Sequence, residues 1–327
     1  MILMKTLSVR PLVSWAIGLN VFLSTLTSGR RVGTVSRLVV ALPAFNEERT
    51  LSRVIGSIRK ALSKESDFSI VVIDDGSTDR TSDVAASSGA DFVVRHMKNL
   101  GVAQAYRTAI RAGLKLDADV ICTIDADGQF HAEDIPRVVE PVRAGLADLV
   151  IGSRFIGSTM NNRVPTTNRV ANRLMAFLVS MLIKEYLHDT ESGFRAISRR
   201  AAEKLQLLGV VSFSSDMILD VSRRGFRIAE VPVRVTYYQD RVSKVVTSFV
   251  KYGFKSLCLI VMKLLSSRHS FDALTNHQPE VEILGAARRR DSEPIRVTTH
   301  TKGTLEGRDG GATDDRMMCR NVQDRKG

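Results

Sequence analysis

Asp125 and Asp127 end the segment Val120-Ile-Cys-Thr-Ile-Asp-Ala-Asp-Gly-Gln129, and no other pair in this 327-residue chain is better placed to do chemistry. Val120 to Ile124 is apolar, largely β-branched and followed at once by a turn signal, which reads as a short buried strand. Two carboxylates spaced i, i+2 where such a strand ends can put hard oxygen ligands on one divalent cation, with Gln129 just behind them. A hard cation such as Mg²⁺, bound through one or two carboxylates, keeps coordination positions for water or phosphate oxygens. The rival reading is a turn or a helix cap, because Asp and Gly are the usual turn residues. The pair alone does not choose between them; its surroundings do.

Those surroundings alternate strand and helix. Leu38 to Leu42 reads as a buried strand ended by Pro43-Ala-Phe-Asn-Glu47, and Thr50 to Leu62 carries apolar residues at helical spacing. Ser69 to Ile73 is a second strand, ended by Asp74-Asp-Gly-Ser-Thr-Asp79 and followed by a helix over Thr81 to Ser88. A strand over Phe92 to Arg95 and a helix over Ala103 to Leu114 precede the Asp125 strand. A helix over Glu133 to Ala144 then leads to Leu149 to Ile151, ended by Gly152-Ser-Arg154. This βαβα succession predicts an α/β fold with a mostly parallel sheet and helices on both faces. Ligands of such sheets sit at the carboxyl ends of the strands, so the four polar strand ends are expected to form one site. Further on, Gly157 to Asn168 reads as a polar loop and Asn168 to Leu187 as a helix. Its apolar block from Leu174 to Ile183 is expected to be buried rather than membrane-spanning. Helices over Arg199 to Leu208 and Asp216 to Arg224 follow, then a strand over Arg227 to Val235 that Pro232 assigns to a sheet edge.

A formal charge of +12 points to an anionic partner, whether nucleic acid, a phosphorylated ligand or an acidic membrane surface. Nothing resembles a zinc finger, and aromatic residues at 6% are too few for a base-stacking platform, which argues against nucleic acid. The three cysteines, Cys122, Cys258 and Cys319, give neither a disulfide framework nor a CxxC metal site. Residues 1–36 form a basic, apolar leader whose apolar run falls short of a span and reads either as an interfacial anchor or as a disordered or packing segment, and a signal peptide there would lack a clear cleavage site. Phe249 to Leu265, with Lys251, Lys255 and Lys263, gives an amphipathic basic helix over 246–265 suited to an acidic membrane surface or to packing on the domain. Residues 266–327 show no sustained period and are expected to be disordered.

Acidic strand ends in a basic protein suit a nucleoside diphosphate carried with a metal, where the protein mainly positions and stabilises. Asp74 or Asp75 stands where a base or ribose can be hydrogen-bonded, and the absence of GxGxxG and GxxxxGK[ST] argues against dinucleotide and P-loop binding. Leu42-Pro-Ala-Phe-Asn-Glu47, Val72-Ile-Asp-Asp-Gly-Ser-Thr-Asp79, Asn99-Leu-Gly101, Asp125-Ala-Asp-Gly-Gln129, Gly152-Ser-Arg-Phe155, Asp189-Thr-Glu-Ser-Gly-Phe-Arg195 and Glu230-Val-Pro232 occur in this order. As a set, across roughly residues 37 to 250, they resemble glycosyltransferase family 2 and, within it, the synthases that load sugars onto dolichyl or polyprenyl phosphate.

The resemblance implies a GT-A domain over 37–245 and an inverting, Mg²⁺- or Mn²⁺-dependent transfer from a nucleoside-diphosphate sugar at the cytoplasmic face of a membrane. By position it places Pro43, Phe45, Glu47, Ile73 and Asp75 around the nucleotide, and Asp125, Ala126, Asp127 and Gln129 around metal and diphosphate. Arg154 and Arg169 match phosphate-holding positions. Lys244, and less securely Arg241, match a basic segment closing over donor and acceptor. Val102 departs from the Lys common in relatives. A lipid phosphate is already a nucleophile and needs cations more than a base; Arg154, Arg169, Arg195 and Lys244 are the candidates. A saccharide hydroxyl would instead require a carboxylate base, and Asp216 lies where many relatives keep one. Both acceptor classes stay open at this level, as does a non-enzymatic nucleotide-binding protein, which the intact Asp125/Asp127 pair and Arg154 disfavour.

Overall fold

The structure, a computed structural model, describes residues 36–156, 166–206, 213–237, 281–285 and 296–298. β1 (Leu38–Ala44) and β2 (Phe68–Asp74) run parallel, β3 (Phe92–His96) adds parallel to β2, and β4 (Val120–Thr123) adds parallel to the other side of β1. Their apolar runs are continuous rather than alternating because both sheet faces are covered. Leu38, Val40 and Leu42 enter one core, while Val39 and Ala41 enter the other. The first core is closed by α1 (Leu51–Ala61), α2 (Thr81–Ser87) and α4 (Ile135–Arg143), and α3 (Val102–Lys115) lies on the opposite face. α1 shows how the sequence makes this happen: Leu51, Val54, Ile55 and Ile58 are buried, a helical stripe facing the sheet.

β5 (Leu149–Ser153) is followed by α5 (Thr166–Ile183), β6 (Arg195–Ser198), α6 (Arg199–Lys204), α7 (Phe213–Arg223) and β7 (Ile228–Pro232). The sheet order is β7-β5-β6-β4-β1-β2-β3. Pro232 therefore does end an edge strand, where its missing N–H costs no ladder bond. β6 is antiparallel to both β4 and β5 and is wedged between them. It was not legible as a strand, being four residues long, opened by a charged side chain and continuous with a helix.

Two departures bear on the rest of the molecule. Within 266–327, expected to lack structure, β8 (Val281–Gly285) pairs antiparallel with β3 and β9 (Arg296–Thr298) pairs with β8. They occupy the edge that β3 would otherwise present with unpaired backbone groups. The apolar block of α5 is also not buried throughout: Leu174, Phe177 and Met181 are exposed. The leader through residue 35 and the 249–265 helix lie outside the described residues. Among the described residues no helix is long and apolar enough to cross a membrane.

Candidate active site

The ends of β1 and β2 are built from carboxylates that hold loops. Asp75 accepts from His96 Nδ1 at 2.7 Å, Leu100 N at 3.0 Å and Gly101 N at 2.9 Å. A carboxylate offers about four acceptor positions, so roughly one is left for a ligand donor. Asp74 accepts from Ser77 N and from the Ser82 hydroxyl. Gly76, at φ 69°, lets the Asn99-Leu-Gly101 loop come close, since a Cβ there would run into the Lys98 and Asn99 backbone. Glu47 is buried, takes a 2.8 Å hydrogen bond from the Thr50 hydroxyl, and that hydroxyl lies 3.0 Å from the Ala126 carbonyl. Pro43 and Phe45 are half-buried beside it. The side chains of Ile73 and Ala126 are buried in the two cores, which leaves their backbones as the groups nearest the strand ends.

At the end of β4, Tyr106 of α3 donates a 2.6 Å hydrogen bond to Asp125 Oδ1. Burial pushes the Asp125 carboxyl up from its ordinary value, opposed by that hydrogen bond and by the charges of Arg154 and Arg195. Tyr106 itself is buried, and burial together with Asp125 holds its phenol well above the usual range. Gly193 closes over this pair. A Cβ there would fall 2.6 Å from Asp125 Oδ1 and overlap the Tyr106 hydroxyl, so any larger residue must push one of the two aside. Asp127 Oδ1 accepts from Gln129 N at 2.9 Å, and Gln129 O accepts from Thr236 N at 2.8 Å. One oxygen of each carboxylate is thus oriented by the protein. No group of three or more His, Cys, Asp or Glu side chains arranged to hold a metal occurs among the described residues. Two oriented carboxylates fit a hard cation that completes its shell with diphosphate and water oxygens, and do not fit a closed structural metal.

The cations behave differently from one another. Arg154 grips Asp189 with Nε at 2.7 Å and Nη2 at 2.8 Å. Against the burial that would raise it, this contact holds the Asp189 carboxyl below the usual range. Arg195, expected at an acceptor phosphate, is 2% exposed and donates to the carbonyls of Ser192, Ser214 and Thr190 at 2.7, 2.8 and 2.8 Å. It ties the 189–195 loop to α7 and is a structural residue, correcting that expectation. Arg169 lies half-buried in the first turn of α5. Lys244 and Arg241 lie outside the described residues. Asp216 is not at a helix cap but within the first turn of α7, buried, with its charge felt by Arg107.

Two residues were missed. Tyr106 was hidden in an apolar helix face, where only a polar tip among alanines could have marked it. Glu191, between two recognised motif positions, takes a 2.8 Å hydrogen bond from the Ser215 hydroxyl, and burial pushes its carboxyl up. The charges of Arg154, Arg195 and Glu47 all reach Asp125. Strand ends far apart in sequence therefore converge on one place.

Comparison with known proteins agrees with this geometry. The family model described as Glycosyl transferase family 2 matches residues 39–206. An uncharacterised protein of Methanocaldococcus jannaschii is 35% identical over 69% of this chain and 91% of its own. A polyprenol monophosphomannose synthase of Mycolicibacterium smegmatis is 32% identical over 67% of this chain and 85% of its own. Among solved structures, the glucosyl-3-phosphoglycerate synthase of Mycobacterium tuberculosis, crystallised with Mn²⁺, UDP-glucose and glycerol 3-phosphate, superposes with a TM-score of 0.53 at 26% identity. That match covers 68% of this chain and 79% of the synthase. The chain belongs to glycosyl transferase family 2 and is a glycosyltransferase of GT-A fold.

Proposed function

We propose that this enzyme transfers a sugar from a nucleoside-diphosphate sugar to a polyprenyl or dolichyl phosphate. The observation that carries the reading is Arg154, a cation aligned by Asp189 whose charge reaches Asp125, where an anionic acceptor has to be brought beside an anionic donor. A saccharide hydroxyl needs a carboxylate to take its proton. Asp216 is 7% exposed and its charge is felt by Arg107, but an acidic residue at this position is compatible with either acceptor class and does not choose between them. A phosphate monoester needs no such base, being ionised before it arrives. Relatives support the same choice, among them the synthase of M. smegmatis and an undecaprenyl-phosphate mannosyltransferase of Micrococcus luteus, 32% identical over 82% of its length.

In this mechanism a lipid phosphate oxygen attacks the anomeric carbon from the side opposite the diphosphate. A C–O bond to the lipid phosphate forms as the bond to the nucleoside diphosphate breaks, inverting the carbon. A divalent cation held by Asp125 and Asp127 would offset charge on the leaving diphosphate. Tyr106 and the Gln129 N–H fix the angles of those carboxylates. Asp75 keeps acceptor capacity for a base or ribose donor, and Glu47 holds the loop that carries Pro43 and Phe45. Arg154, Arg169 and Lys244 are assigned to the acceptor phosphate, with Arg154 aligned by Asp189.

The test is incubation of the protein with a panel of UDP- and GDP-sugars, a polyprenyl phosphate and Mn²⁺ or Mg²⁺, with the lipid product identified by mass. One sugar phosphate lipid is expected, and Asp127→Ala should lower its rate by roughly a hundredfold or more. No lipid product from any donor, with transfer instead to a saccharide acceptor added in a parallel incubation, would sink the proposal.

A further inference from the structure

α5 turns an apolar stripe to the outside. Val170, Leu174, Phe177 and Met181 are 65%, 59%, 57% and 62% exposed, and their spacing of four, three and four residues puts them on one helix face. The opposite face is fixed. Asn172, Ala176, Val179 and Ser180 are buried, Asn172 Nδ2 donates to His188 O at 2.9 Å, and Leu187 N donates to Ser180 Oγ at 2.9 Å. The helix cannot roll its stripe inward without breaking these contacts. From Val170 to Met181 the stripe runs about 16 Å at 1.5 Å per residue, about half of a ~30 Å hydrocarbon core. It is suited to lying in a surface, not to crossing one.

Charge decides what covers it. Thr166 to Ile183 contains no acidic residue and carries Arg169 and the exposed Arg173, while Lys184 and Glu185, both exposed just beyond the helix, offset each other. A second copy laid on this face would bring Arg169 and Arg173 of both copies together with no carboxylate on either helix to answer them. The chain's own Phe249–Leu265 segment carries Lys251, Lys255 and Lys263 and has the same defect. An anionic lipid surface supplies both apolar depth and the missing negative charge. The helix also carries Arg169 in its first turn, one residue before Val170, so the stripe begins beside a residue assigned to the acceptor phosphate.

We infer that the Val170–Met181 face of α5 docks this enzyme on an anionic membrane, an inference that rests on the lipid-phosphate reading above. It brings the acceptor's headgroup toward Arg169 without the protein spanning the bilayer.

The experiment uses the full chain and vesicles of phosphatidylcholine with or without phosphatidylglycerol, containing no polyprenyl phosphate. Leu174→Ser with Phe177→Ser should weaken partition onto the anionic vesicles by roughly tenfold or more. Because other segments also carry apolar and basic residues, a local readout is needed. The only tryptophan is Trp15, so Trp15→Phe with Phe177→Trp reports on α5 alone, and brominated lipid should quench it. Undiminished vesicle binding by the double serine variant, or an unquenched tryptophan at 177, would overturn the inference. So would a wild-type dimer that the serine variant converts to monomer, since that would make a second copy the occupant. Transfer to a short-chain, water-soluble prenyl phosphate without vesicles should be the same in wild type and the serine variant. Its absence in wild type, with quenching at 177 intact, would count against the proposed function and leave the docking face standing.

Discussion

The two sides of this site, proposed above to take the donor and the acceptor, are held together by different chemistry. At the ends of β1 and β2 the carboxylates are satisfied by backbone N–H groups and hydroxyls: Asp74 by Ser77 and Ser82, Asp75 by Leu100 and Gly101 with His96, and Glu47 by Thr50. On the other side charge answers charge, in the Arg154–Asp189 pair, and arginine answers carbonyl, in the three bonds of Arg195. Asp74 and Asp75 stand at and just past the end of β2, and the backbone donors they hold lie in the loops that follow β2 and β3, so these loops are pinned to the sheet. The acceptor side depends on a few desolvated side chains, which are costly to break and easily unbalanced. A donor site can therefore be preformed, while the acceptor side is where single substitutions should do the most damage.

The largest expected effect follows from that contrast. Asp189→Ala leaves the largely buried Arg154 guanidinium without its carboxylate, with Tyr237 alone among the described residues still accepting from it, and should cost about 3 kcal/mol in urea unfolding. Asp189 has its pKa below the ordinary 3.8. Its contribution should therefore be complete at neutral pH and fade only as pH falls through that lowered value. A loss under about 1 kcal/mol, the range of a surface pair, would break the comparison. Gly193→Ala comes next, because its methyl must displace the Tyr106 hydroxyl or Asp125. Overpacking of this kind costs about 1–3 kcal/mol, and transfer should fall further than stability since Asp125 is moved. A variant with normal turnover would show that Asp125 need not be held where it stands.

How much of this was readable depended on whether the cause was local. The parallel sheet, its covered faces and the four converging strand ends follow from apolar runs and the turn residues that end them, and these were legible. The antiparallel β6 was not, since a four-residue strand opened by a buried arginine has no periodic signature. Arg195 was misassigned for the same reason. In sequence it is a charge in a phosphate-handling motif, and only the fold shows its donors turned onto Ser192, Ser214 and Thr190. The outward stripe of α5 failed differently. An apolar run of helical length predicts burial whichever surface buries it, and the chain alone does not say that the surface lies outside the protein. Tyr106 needed three elements at once, α3, β4 and the 189–195 loop, and nothing in its own neighbourhood announces that meeting.

Tyr106→Phe sharpens the comparison on the donor side. The ring keeps its stacking on Phe213, whose centroid lies 4.4 Å away, and only the hydroxyl is lost. Stability should fall by about 1 kcal/mol, the worth of one hydrogen bond. Mn²⁺ affinity, read by calorimetry with the nucleotide present, should weaken by several-fold as Asp125 loses its fixed angle. An unchanged affinity would mean that the sheet alone orients Asp125.

Glu191→Gln carries the smallest effect and the clearest sign. Burial raises the Glu191 carboxyl above its ordinary 4.5, partly offset by the Ser215 hydrogen bond and by Arg195. A carboxyl raised in the folded state costs stability once it ionises, and that cost is absent below the unfolded value. Glutamine can still accept the Ser215 hydroxyl through its carbonyl oxygen but never ionises. Below about pH 4.5 the variant and wild type should therefore melt together. As pH rises through the folded-state pKa of Glu191, the variant should become the more stable, and the gap should then stay constant. A gap of the same size at all pH values would show that packing, not charge, separates the two. A variant less stable at neutral pH would mean that the ionised carboxylate is held by Arg195 strongly enough to outweigh its burial, the opposite balance from the one the acceptor side shows.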